Sequence, residues 1–157
     1  VITVILNALN QPNDENARYV ETSNLMDYCL NNWSQQDVTV AGQTPTDKKE
    51  LKVTDGKKKT VALAMEKPVK LWIRNDMDPK NLTIKTTLDH SLLDNNAIIA
   101  PVHKNEKIGT VSVALAQDTL GYVQENEGAK TDLVTKSAVE KASTFELIWQ
   151  KITGIFA

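Results

Sequence analysis

The sequence is poor in the residues that most readily carry chemistry: one cysteine, Cys29, and two histidines in 157 residues. A single thiol excludes an internal disulfide framework and any multi-cysteine metal site. Cys29 falls beside Met26 and Leu30 on an apolar helical stripe, where a buried and unreactive side chain is expected. His90 and His103 are thirteen residues apart with no cysteine nearby and no paired acid at ligand spacing, so neither a zinc site nor any other cofactor is expected. A dominant charge is missing too. Lys and Arg number 18 against 20 Asp and Glu, a formal charge of −2, which excludes the electrostatic footprint of nucleic-acid binding. No apolar run approaches the roughly 20 residues of a membrane-spanning helix, and there is no internal repeat or low-complexity tract. Neither a basic leader nor an initiator Met precedes Val1. That suits an excised or processed C-terminal piece and equally any mature secreted protein.

What is present is a change of hydrophobic period. At 157 residues the chain can bury a real core, in one or two small domains. Val1 to Leu6 is β-branched and apolar, the signature of a strand buried on both faces. Pro12-Asn13-Asp14-Glu15 supplies a cap and first-turn acids, and Tyr19, Met26, Cys29, Leu30 and Trp33 follow at helical spacing, which predicts one amphipathic helix over 13–33. From Asp37 the period becomes two: Val38 and Val40, Leu51 and Val53, Val61, Leu63 and Met65, then Val69, Leu71 and Ile73. Further strands are expected at Leu82–Leu88, Ala97–Val102, Gly109–Leu115 and Thr119–Val123, with a tight hairpin at Asp55-Gly56 and a longer turn at Asn75–Pro79. Short alternating strands at regular spacing predict an antiparallel β-sandwich or barrel. Glu125 to Asp132 shows no period and is expected to be a loop. From Ser137 to Ala157 helical spacing returns, with Phe145, Ile148, Trp149, Ile152, Ile155 and Phe156 on one side and Glu146, Gln150 and Lys151 on the other. Such a stripe fits a helix lying in a membrane interface and equally one packing on its own domain.

The stretch Ala100-Pro101-Val102-His103-Lys104-Asn105-Glu106-Lys107-Ile108-Gly109-Thr110-Val111-Ser112-Val113 places a polar turn between two apolar strands. It resembles the C-terminal β-domain of the low-molecular-weight penicillin-binding proteins, the serine D-alanyl-D-alanine carboxypeptidases that trim peptidoglycan stem peptides. The likeness runs along nearly the whole chain. Val1–Leu6 is similar to the last strand of that family's catalytic domain, and Asn16 through Trp33 to the helix that closes it, with Cys29 where the family usually has Gly. Val61–Ile73 is similar to the β-domain, and Phe145–Ile152 to the membrane-proximal tail. The Ala-Pro-Val turn is also shared by biotinyl and lipoyl carrier domains, but Ala64-Met65-Glu66-Lys67 precedes it where the acylated Lys of a carrier should follow.

The resemblance implies a division at 1–35, the end of a catalytic domain; 36–125, a β-sandwich; and 137–157, an amphipathic helix near the membrane. It does not imply that this chain runs the reaction. A penicillin-binding enzyme needs a Ser three residues before a Lys on one helical face. Ser23, Ser34, Ser91, Ser112, Ser137 and Ser143 are followed at that distance by Met26, Asp37, Asp94, Leu115, Glu140 and Glu146. The Lys-Thr-Gly strand is missing as well: Lys59-Thr60, Lys85-Thr86 and Lys130-Thr131 continue into Val61, Thr87 and Asp132. No catalytic residue is therefore expected here. Arg18 matches the family's arginine near the substrate's terminal carboxylate, which a guanidinium fork suits; on residues alone, an exposed Arg paired with Asp14 or Glu21 explains it too. Phe145, Ile148, Trp149, Ile152 and Phe156 are the expected membrane-facing residues. Lys48, Lys49, Lys52, Lys57, Lys58 and Lys59 cluster round the Asp55 hairpin, as edge-strand protection or as contacts to anionic wall polymer or lipid. The implied partners are an upstream catalytic domain of the same polypeptide, a membrane surface and peptidoglycan, without nucleic acid, and the implied location is extracytoplasmic at the cell membrane. The competing expectation is a free-standing extracellular β-module that binds a protein or wall glycan.

Overall fold

The computed structural model describes residues 2–6, 16–116 and 129–147. The protein is mainly β and divides into two compact units. One comprises Val1–Gln36 and Leu71–Pro79, the other Asp37–Lys70 and Lys80–Ala157.

In the first unit, residues Ala17–Asn32 form helix α1, followed directly by strand β1, Trp33–Asp37. The period switch near Ser34 therefore marks a real boundary. Strand β1 pairs with β4, Lys70–Arg74, in a two-stranded sheet. The turn after β4 closes the helix: Asn75 N–H donates to Asn32 O at 2.8 Å and its Nδ2 donates to Asn31 O at 2.9 Å. Ser34 Oγ in turn donates to Asn75 Oδ1 at 2.9 Å. The last carbonyls of a helix have no partners within it, and Asn75 supplies two. The strand expected at Val1–Leu6 is not formed by the described residues 2–6, and Ile2, Val4 and Leu6 are exposed. An apolar run becomes a buried strand only with neighbours to pair its backbone.

In the second unit six strands, β2 (Glu50–Thr54), β3 (Thr60–Met65), β5 (Leu82–Leu88), β6 (Ala97–Ile99), β7 (Lys107–Leu115) and β8 (Ala129–Thr135), form one sheet. Their order in it is β5-β7-β8-β3-β2-β6. All neighbours are antiparallel except β2 and β6, which run parallel with Val53 opposite Ile98. Alternation places Leu51 and Val53 inward and Glu50, Lys52 and Thr54 outward. One hydrophobic cluster draws on five of the six strands, including Leu51, Leu63, Met65, Ile98, Val111, Val113 and Leu133, with Leu82, Ile84 and Leu88 of β5 packed against it. A single sheet whose one face converges on one cluster must curl over it, so the expected sandwich is here a curled half-barrel. A 3₁₀ turn at His90–Leu92 joins β5 to β6.

Three further expectations are corrected. Val38 and Val40 lie in no strand, because the β segment precedes them at Trp33–Asp37. Residues 129–132, read as loop, begin the central strand β8, which inserts between β3 and β7. Residues 137–143 are extended rather than helical, bridging Val139 to Val102 and Lys141 to Gly56, and the helix begins only at 144. The strand expected at Thr119–Val123 lies outside the described residues.

The polar turn between Val102 and Lys107 hangs on a buried hydroxyl. Thr135 is fully enclosed; its Oγ1 donates to His103 O at 2.5 Å and accepts from Glu106 N–H at 3.0 Å. Its backbone pairs with the same turn, Asn105 N–H to Thr135 O at 2.8 Å and Thr135 N–H to Glu106 O at 3.0 Å. Asn105 takes the left-handed conformation (φ 62°) that asparagine tolerates. At the outer edge of β5 among the described strands, Asp47 accepts from Thr86 N–H at 2.6 Å and from its Oγ1 at 2.7 Å, covering a strand edge that could otherwise pair with another chain.

Candidate functional site

In the first unit the notable feature is a helix that buries nothing. No residue of α1 is buried, and Tyr19, Leu25, Met26, Tyr28 and Leu30 are exposed. An amphipathic helix draws most of its stability from an apolar face packed on a partner. Beside it, Cys29, Leu30, Trp33 and Trp72 line an apolar groove of ≈ 370 Å³, with Trp72 61% exposed. Cys29 is thus half-buried at a groove wall rather than fully enclosed.

Arg18 lies on the exposed first turn of α1. Its guanidinium sits 4.8 Å from the Tyr19 ring centroid, and Nη2 donates to the Tyr19 hydroxyl at 3.2 Å. Among the described residues it makes no ion pair, so the expected pairing with Glu21 is not formed; Asp14 lies outside them. Elsewhere in this unit Arg74 binds Asp76, and that hydrogen bond holds the Asp76 carboxyl below its usual range.

In the second unit the C-terminal lead-in is tied to the β2–β3 loop. Lys57 N–H donates to Glu140 O at 2.9 Å, and Ala142 N–H donates to Asp55 O at 2.8 Å. The Lys57 ammonium meets Glu140 Oε2 at 2.6 Å, and this hydrogen bond lowers the glutamate's pKa and raises the lysine's. The loop spans five residues, 55–59, so the expected tight Asp-Gly turn is a longer one; Asp55 is left-handed (φ 58°) and Gly56 is buried. A Cβ on Gly56 would stand 2.8 Å from Val53 Cγ1 and 2.9 Å from Val139 Cγ1, too close for any larger residue to fit without movement.

At the start of the final helix Ser143 N–H and Oγ both donate to Glu146 Oε2, at 2.7 and 2.8 Å, while Ser143 Oγ accepts from Glu146 N–H at 3.3 Å. Reciprocal bonds of this kind are a capping box, and the bond from the Ser143 backbone is the main cause lowering the Glu146 pKa. The Ser143-x-x-Glu146 spacing is its signal in the sequence. Phe145 is 71% exposed, while Ile148, Trp149, Ile152 and Phe156 lie outside the described residues. Among the described residues no three His, Cys, Asp or Glu converge on a point, and no helix is long and apolar enough to cross a membrane.

Residues 33–141 match the family described as penicillin-binding protein 5, C-terminal domain. The chain belongs to that family. Among solved structures it is similar to penicillin-binding protein 5 from Haemophilus influenzae, with a TM-score of 0.51 and 22% identity over 80% of this chain and 31% of that one. It is also similar to a peptidoglycan synthesis regulatory factor, PBP3, from Streptococcus pneumoniae, with a TM-score of 0.54 and 26% identity over 87% of this chain and 35% of that one. The chain therefore spans about a third of the length of these proteins. The matched segment begins at Trp33, where β1 opens, and ends at Lys141, just before the capping box. As a penicillin-binding protein C-terminal domain it is the non-catalytic part, in keeping with the missing Ser-Lys and Lys-Thr-Gly motifs.

Proposed function

We propose that this chain is the C-terminal stalk of a D-alanyl-D-alanine carboxypeptidase that trims peptidoglycan stem peptides, holding an upstream catalytic domain at the outer face of the cell membrane. The observation that carries this reading is the family match across 33–141. In the parent enzyme a serine supplied upstream attacks the penultimate D-Ala carbonyl, D-Ala leaves, and water releases the acyl-enzyme. The unburied face of α1 is the surface that such a domain covers. On this reading residues 1–35 complete the catalytic domain, the curled β-domain follows from residue 36, and the membrane-proximal helix begins at residue 144. Arg18, which makes no ion pair among the described residues, presents its guanidinium toward the substrate's terminal carboxylate. Phe145, Ile148, Trp149, Ile152 and Phe156 enter the interface, since the polar face of such a helix stays in the headgroups while its aromatics insert.

Two outcomes test it. The chain by itself should take up no fluorescent penicillin, because neither the Ser-Lys pair nor the Lys-Thr-Gly strand is present; stoichiometric labelling of any serine defeats the non-catalytic assignment. In vesicle co-sedimentation, changing Trp149 and Phe156 to Ser should lower the bound fraction severalfold, each aromatic removing a large share of the inserted apolar area. Equal sedimentation of wild type, the double variant and a chain cut at Ser137 returns the tail to ordinary packing.

A further inference from the structure

The sequence allows the lysines around Asp55 to be edge-strand protection, but β2 is not an edge. It lies between β3 and β6, and among the described strands the sheet's edges are β5 and β6. Lys52 stands on the outward face of β2, and Lys58 and Lys59 are exposed in the 55–59 loop; among the described residues none of the three makes an ion pair. The fold places this loop directly on the root of the C-terminal segment, through the Gly56–Lys141 bridge, the Ala142 N–H to Asp55 O bond and the Lys57–Glu140 pair. Lys141 is itself exposed and unpaired among the described residues. Of the local carboxylates Glu140 is paired with Lys57, while Glu50, Asp55 and Glu146 make no ion pair among the described residues. In a chain of net charge −2, residues 50–59 and 136–147 together carry six lysines against four Asp and Glu.

We infer that Lys52, Lys58, Lys59 and Lys141 form a headgroup-binding surface for anionic phospholipid, engaged at the same time as the tail. The inference rests on the membrane reading above and adds a second contact to it. Ammonium groups near an anionic bilayer gain from its negative surface potential, and the gain decays within a Debye length of about 8 Å at physiological salt, so only groups beside the insertion point benefit. Bonding the loop to residues 140–142 brings Lys57, Lys58 and Lys59 to the start of the C-terminal segment. Exposed aromatic and basic groups acting together also give firmer attachment than either alone.

The test is co-sedimentation of the full chain with phosphatidylglycerol-containing and pure phosphatidylcholine vesicles, using wild type, a K52Q/K58Q/K59Q variant and the W149S/F156S variant. All three lysines are exposed, so the first variant should keep the wild-type melting temperature. Its affinity for anionic vesicles should fall about tenfold or more, given a gain of roughly fivefold per lysine before screening. Binding to neutral vesicles should not change, and 0.5 M salt should remove the difference. Wild-type affinity of the lysine variant for anionic vesicles overturns the inference and leaves the tail reading standing if W149S/F156S still loses binding. If instead W149S/F156S binds as wild type while the lysine variant does not, the tail reading falls and the lysine surface stands. No vesicle binding by wild type overturns both, and lysine-dependent binding to soluble polyphosphate without binding to vesicles reassigns the surface to an anionic polymer and overturns the lipid assignment.

Discussion

Replacing Gly109 by Ala is expected to destabilise the fold by about 3 kcal/mol or more, at the upper end of what forced overpacking costs. Gly109 lies opposite Leu88 across the β5–β7 pair, immediately after the irregularity in the β7–β8 register between Lys107 and Gly109. A Cβ there would run into the backbone oxygen of Thr87 and stand 3.0 Å from Leu88 Cα. Backbone atoms in a paired strand cannot swing aside as a flexible side chain can. Relief therefore requires β5 to move away from β7, loosening Leu82, Ile84 and Leu88 against the core. Gly109 is buried and has no positive φ, so the requirement is one of space and not of backbone conformation. Urea denaturation of the Ala variant measures the loss, and a change within 0.5 kcal/mol would mean that the strands approach less closely than described.

The second large effect is expected at Thr135. Changing it to Val keeps the shape but removes the hydroxyl that donates to His103 O and accepts from Glu106 N–H. Both main-chain groups are then left without that partner in a water-poor site, where an unsatisfied donor or acceptor costs about 1–3 kcal/mol. A net loss of about 2–3 kcal/mol is expected for Thr135→Val. Thr135→Ser restores the hydroxyl and forfeits only a methyl, so it should lose about 1 kcal/mol. Thermal unfolding of the pair separates the two causes: equal losses in Val and Ser would assign the effect to packing. Amide exchange at Asn105 and Glu106 should quicken in the Val variant, since the hydroxyl pins the turn from within.

These two sites show which parts of the fold were legible in advance. The switch from helical to alternating period at Ser34 lies in the order of apolar residues, and it appears where expected because side-chain direction alone sets it. Strands β2, β3, β4, β5 and β7 follow from the same alternation. Strand β8 did not, because Thr131 and Thr135 occupy inward positions beside Leu133 and conceal the period. A buried threonine reads as surface until the groups that satisfy its hydroxyl are known, and those lie on a turn about thirty residues earlier in the chain.

By itself the sequence determined the β-rich class, the family resemblance, and the lack of an acylating serine or a cysteine-based site, all of which depend on residue type and local spacing. Tertiary structure alone decided that six of the strands make one curled sheet with a parallel β2–β6 pair, that 137–143 run extended, and that Val1–Leu6 forms no strand in its described part. It also decided that the lysine-rich loop lies on the root of the tail. Strand pairing joins segments distant in sequence through identical backbone groups, and no local pattern specifies which segments those will be. Charge placement follows the pairing: Lys57 meets Glu140 only because the chain returns past Gly56, eighty-odd residues on.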